Sequence, residues 1–126
     1  MTVRFVQWTL DVRDTSLMAD FWSAALGFTD VRYGDDGSAK LYPPADAPAD
    51  VPTLWLQKTG EPKQGKNRDH PDLRPVDGDV EHEVERLVGL GARHVDVGQT
   101  GEEGFVVLAD PEDNEFCVLR REPRQN

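Results

Sequence analysis

The chain has 126 residues, a length for one domain whose two halves would each be marginal alone but can share a core. Its 37% hydrophobic and 30% charged composition is that of an ordinary soluble globular protein, at a net charge of −10. Residues 1–63 carry 6 basic and 9 acidic groups and residues 64–126 carry 8 and 15, so neither half offers a basic surface and no nucleic-acid partner is expected.

Cys117 is the single cysteine, which excludes an intramolecular disulfide and fits a cytoplasmic location. The N-terminal residues contain no apolar run of signal-peptide length. No stretch approaches the ~20 apolar residues of a membrane span, so no membrane partner is expected. The tail from Arg120 to Asn126 is expected to be a frayed end.

Residues 3–12 alternate, with Val6, Trp8, Leu10 and Val12 on one face and Phe5, Gln7, Thr9 and Asp11 on the other. A period of two over this length predicts a strand with one face buried and a mixed face turned elsewhere. Asp14, Thr15 and Ser16 offer capping oxygens, and Leu17, Phe21, Ala24 and Ala25, with Trp22 beside them, predict a helix that Gly27 ends. A short strand over 28–33, a turn at Gly34-Asp35-Asp36-Gly37 and a hairpin partner over about 38–42 follow. Four prolines between Pro43 and Pro52 mark a loop, and 53–57 is a fourth strand.

After a linker the plan repeats. Residues 68–73 are predicted as a strand, at an edge or irregularity because Pro71 cannot donate to a ladder. Asp77-Gly78-Asp79 supplies a cap. Val80, Val84, Leu87 and Val88 give the strongest helical spacing in the chain, and Leu90-Gly91 closes that helix. Strands are predicted over 93–97, 105–109 and 115–119, the last two joined by a tight turn, Asp110 to Asn114, with Asn114 available for a left-handed position. The order is therefore βαβββ twice, in a single domain of 1–126 with module one at about 1–60 and module two at about 67–120. Val12-Arg13-Asp14 matches Pro75-Val76-Asp77 at an offset of 63, which lands Gln7 on His70. The last strands align at an offset of 62, which lands Trp55 on Cys117.

Leu10-Asp11-Val12-Arg13-Asp14, Phe21-Trp22, Leu26-Gly27-Phe28, the run from Lys66 through His70 to Leu73, Leu90-Gly91-Ala92 and the run from Val106 to Cys117 occur in an order that spans nearly the whole chain. The ordered set resembles the vicinal oxygen chelate superfamily (the glyoxalase/bleomycin resistance/dioxygenase fold), in its glyoxalase-like branch. The resemblance implies an α+β fold of two βαβββ modules with pseudo-twofold symmetry, sheets curled around a cavity, and a homodimer. It also implies metal-ligand positions on the first and last strands of each module, here Gln7, Trp55, His70 and Cys117. Metal-using members carry carboxylates at the two last-strand positions, where this chain has Trp55 and Cys117. The family loop Asp-Pro-x-Gly-Asn has Asp113 in place of its Gly.

A mixed polar and aromatic sheet face is what a small-molecule site looks like in sequence. Gln7, Trp55, His70, Cys117, Phe5 and Thr9 are the candidate ligand-binding residues. Trp55 cannot ligate an ion, and His70 with Gln7 falls short of three good donors, so no cofactor and no metal ligands are assigned; a divalent metal is the alternative. His70 is the candidate catalytic residue, since imidazole titrates near neutrality and Asp72 can orient it. His82 and His94 read as exposed helix and loop residues. The lysines and arginine around the linker, Lys58, Lys63, Lys66 and Arg68, read as solvated charge. The expected activity is a metal-free small-molecule binding protein whose ligand is planar and largely apolar. The alternatives are a metal-dependent lyase, isomerase or dioxygenase, and a metal-free enzyme using His70.

Overall fold

The computed structural model of the protein describes residues 2–77, 79–96, 98–100 and 104–120. Gly78 of the expected cap, Val97 of the expected strand, part of the 98–104 turn and the tail from 121 lie outside the described residues. The chain forms two compact units, Met1–Pro62 and Lys63–Asn126.

The first unit runs β1 (Gln7–Val12), α1 (Thr15–Leu26), β2 (Asp30–Tyr33), β3 (Ala39–Tyr42) and β4 (Thr53–Lys58). Its sheet has the order β1-β4-β3-β2, with β1 parallel to β4 and the other pairs antiparallel. Asp14 caps α1 by accepting from Leu17 N at 3.1 Å, and Gly27 ends it at φ 72°, a conformation that costs glycine nothing. The buried face of α1 is Thr15, Met18, Ala19, Phe21 and Trp22, while Leu17 is exposed. The apolar stripe is thus rotated from the expected one, because the large pair Met18 and Trp22, four residues apart, takes the core side. Trp22 is the centre of this core: it meets Trp8 and Phe21 edge-on, each at a 5.0 Å ring separation. Leu10, Val12, Leu54 and Leu56 are buried on the same face.

The first strand is shorter than its alternation suggests. Phe5 and Val6 precede β1 and are 71% and 67% exposed, although Val6 O accepts from Thr53 N at 3.2 Å. Alternation places side chains on faces but does not supply the neighbouring strand that would cover them.

The second unit runs β5 (Asp72–Leu73), α2 (Val80–Leu90), β6 (Arg93–His94), β7 (Phe105–Ala109) and β8 (Glu115–Leu119), with the order β5-β8-β7-β6. β5 is parallel to β8, repeating the first unit's plan. It spans two residues rather than six and sits at the sheet edge. Pro71 has no N–H to give, and its carbonyl instead accepts from Cys117 N at 3.0 Å. Asp79 caps α2 by accepting from His82 N at 3.0 Å. Val80, Val84 and Leu87 are buried, and Val88 stands at the exposed margin of the stripe. His82 is exposed as expected, and His94 is exposed but lies in β6 rather than a loop.

In the β7–β8 turn the left-handed residue is Asp113, at φ 73°, and not Asn114. The short Asp side chain tolerates that conformation. Asn114 is needed elsewhere: its side-chain amide donates to both carboxylate oxygens of the buried Asp110 at 3.1 Å. Among the described residues no helix is long and apolar enough to cross a membrane.

Candidate functional site

Parity and register decide which side chains share a face. In the first unit Thr9 is the register partner of Trp55, Gln7 of Thr53 and Asp11 of Gln57, all on the side opposite α1. Trp55 is also the register partner of Lys40 on β3. The indole N–H of Trp55 donates to Gln57 Oε1 at 2.8 Å, and the Gln7 carbonyl accepts from Thr53 Oγ1 at 3.0 Å. Both bonds fix side chains on this face and leave the Trp55 ring as a half-buried wall. Phe5 lies two residues ahead of β1.

In the second unit the register partner of Cys117 is Asp72. This reproduces the first unit through the two sequence offsets, since Thr9 maps to Asp72 at 63 and Trp55 to Cys117 at 62. His70 stands two residues before Asp72, outside the ladder. Its Nδ1 lies 3.3 Å from Asp72 Oδ1 and 3.9 Å from Cys117 Sγ. The donor atoms of His70, Asp72 and Cys117 all fall within 4.8 Å of one another. The His70 segment is held at two points: Pro71 O accepts from Cys117 N of β8, and Asn67 Nδ2 donates to Asn114 Oδ1 of the β7–β8 turn at 3.1 Å.

Cys117 is buried, at 6% exposure. Burial pushes its thiol up to about 11, Asp72 adds to the rise through its charge and a hydrogen bond, and Lys66 opposes it. The thiol is thus the opposite of an activated nucleophile. The geometry agrees, because a nucleophile–base–orienter relay needs both ring nitrogens of the histidine, and here Nδ1 faces Cys117 and Asp72 alike.

Gln7, Thr9 and Trp55 belong to one unit, and His70 and Cys117 to the other. Sequence reasoning gave Asp72 only the role of orienting His70. Its place opposite Cys117 depends on the pairing of two strands separated by an entire helix and hairpin. Glu115 was also missed; it shares the parity of Cys117, is buried, and pairs with Lys63 at 3.2 Å. Lys63 is therefore engaged rather than solvated, and Lys58 donates to Arg13 O at 3.0 Å.

The family model for the glyoxalase-like domain matches residues 7–119, and the chain belongs to that family, within the vicinal oxygen chelate superfamily. Among curated proteins none matches. Several solved structures share the fold. One is a mutant of FosX, the genomically encoded fosfomycin resistance protein from Listeria monocytogenes, complexed with Mn(II) and 1S,2S-dihydroxypropylphosphonic acid. It is 15% identical at a TM-score of 0.75, covering 99% of this chain and 95% of that one. FosX from Mesorhizobium loti is 14% identical at 0.72, covering 99% and 97%. A glyoxalase/bleomycin resistance protein from Albidiferax ferrireducens T118 is 17% identical at 0.65, covering 94% and 98%. At these identities the likeness is one of fold.

Proposed function

We propose that this chain is a small-molecule binding member of the glyoxalase-like family, whose planar, largely apolar ligand stacks on Trp55. The observation that carries the reading is the Trp55 ring, held by Gln57 on the helix-opposite face of the first sheet with Gln7 and Thr9 beside it. A large aromatic that is not spent in the core, set among a few polar groups, is the usual make-up of a binding wall. FosX, which shares the fold, is complexed with a small phosphonic acid, which supports a small-molecule site in general. The test is a thermal-shift screen of aromatic metabolites and antibiotics against the full chain and Trp55→Ala. A ligand at 100 times its Kd adds about 2.7 kcal/mol to stability. A hit that stabilises both proteins equally would overturn the role of Trp55.

A second reading, a metal-dependent lyase, isomerase or dioxygenase, is favoured by one observation: imidazole, carboxylate and thiol donors converge at His70, Asp72 and Cys117. The set fits a borderline ion such as zinc better than a hard oxygen-seeking one. Such an ion would supply Lewis acidity. His70 and Asp72 would hold it, and Cys117 would release its proton to join them. Cobalt(II) titration tests this: a sulfur-to-metal charge-transfer band that vanishes in Cys117→Ser supports the site, and no band in the parent protein excludes it. His70 acting alone as an acid or base is the third alternative, and loss of turnover in His70→Gln without loss of ligand binding would favour it.

The family resemblance implies a homodimer, and the exposed run of Val3, Phe5 and Val6 supports one. Analytical ultracentrifugation would show a dimer that Phe5→Ser weakens; a monomer at all concentrations would overturn it.

A further inference from the structure

The helix-opposite face of the first sheet carries a charge that the stacking wall alone does not explain. Across β2, β3, β4 and β1 the register sets Arg32, Lys40, Trp55 and Thr9 in one row. Two cations beside a tryptophan stand out on a chain of net charge −10. Their charges are not equivalent. Arg32 is bound by Asp30 through two hydrogen bonds, 3.3 and 3.0 Å, which neutralise it. Lys40 is half-buried on a central strand, and among the described residues no carboxylate pairs with it. Its ammonium lies 5.3 Å from the centre of the Tyr42 ring, which the Arg32 guanidinium also overlies at 4.5 Å.

A half-buried ammonium gains from a counter-charge, and a ring face supplies only part of one. The free charge of the row is therefore a single positive one, adjacent to an aromatic wall. Neighbouring strands are about 5 Å apart, roughly the distance between an aromatic ring and the acid group it bears. We infer that the ligand stacked on Trp55 is a planar aromatic monoacid whose carboxylate pairs with Lys40. The inference rests on the proposed stacking role of Trp55 and adds the ligand's charge to it.

The matched probes 2-naphthoate and 2-naphthalenemethanol, titrated calorimetrically into the full chain, test it. The acid should bind about tenfold or more tightly than the alcohol, with a preference that shrinks as salt rises. Lys40→Gln should bring the acid's affinity down to about that of the alcohol, Lys40→Arg should retain the preference, and Trp55→Leu should weaken both probes. Equal affinities in the parent protein, or a preference that survives in Lys40→Gln, would overturn the acid inference and leave the stacking wall standing. If neither probe binds the folded parent protein, the wall itself fails and the inference with it.

Discussion

Asp72 sits directly opposite Cys117 in the parallel pair of β5 and β8, so a carboxylate adds its charge to the burial that already raises the thiol. The folded thiol titrates at about 11 against an ordinary value of 9.0. The unfolded chain therefore releases this proton first. Stability from the neutral thiol is complete below pH 9 and is lost as pH rises toward 11, by on the order of 2 kcal/mol. Urea unfolding of the parent protein and Cys117→Ser across this range checks it. The decline should be steeper in the parent protein, and parallel curves would refute it.

Alkylation of Cys117 reports the same relationship kinetically. In Asp72→Asn the thiolate loses a repelling neighbour and its pKa falls, so iodoacetamide should react faster at pH 8 than with the parent protein. An unchanged rate would assign the protection to burial alone.

Two tryptophans of the first unit should behave differently when removed. Trp22 is fully buried between Trp8 and Phe21, and Trp22→Ala should cost about 3–5 kcal/mol. Trp55 stands half-buried on the opposite face, and Trp55→Ala should cost at most about half as much. Chemical denaturation of both variants decides it, and equal losses would place Trp55 in the core.

Asp110 is buried and accepts from Glu112 N and Asn114 N, at 2.9 and 3.0 Å, as well as from the Asn114 amide. Asp110→Ala would leave these donors unsatisfied and should cost roughly 3 kcal/mol in equilibrium unfolding. At Asp113, by contrast, glycine relieves a left-handed residue, about 1 kcal/mol, and loses only an exposed pair with Arg93. Asp113→Gly should leave stability within about 1 kcal/mol of the parent protein, and Asp113→Val should lower it by more.

The βαβββ order was legible because its signals are local. Alternation marks β1, spacing marks α2, and Asp14, Asp79 and Gly27 mark helix ends. The repeat offset of 62 and the family resemblance also marked Trp55 as a position of interest, and the register with Thr9 sets it on the face opposite α1. What stayed hidden depends on distant pairing. Phe5 and Val6 alternate like strand residues but lack a covering neighbour, and Pro71 shortens β5. Asp72 meets Cys117 only because β5 joins β8, which no window of neighbouring residues encodes. The left-handed turn position went to Asp113 because Asn114 is committed to Asp110.

Each sheet is closed by its first and last strands, Gln7 against Thr53 and Asp72 against Cys117. On the ribosome this imposes a wait. β1 emerges early but has no neighbour until β4 is made, 46 residues later, roughly 2–9 s at ordinary elongation rates. A nascent chain ending before Thr53 therefore carries an unpaired parallel strand, and the second unit repeats the delay when β5 waits for β8. Non-local closure of this kind slows folding, and it makes the last strand of each unit the step at which translation commits the protein to its structure.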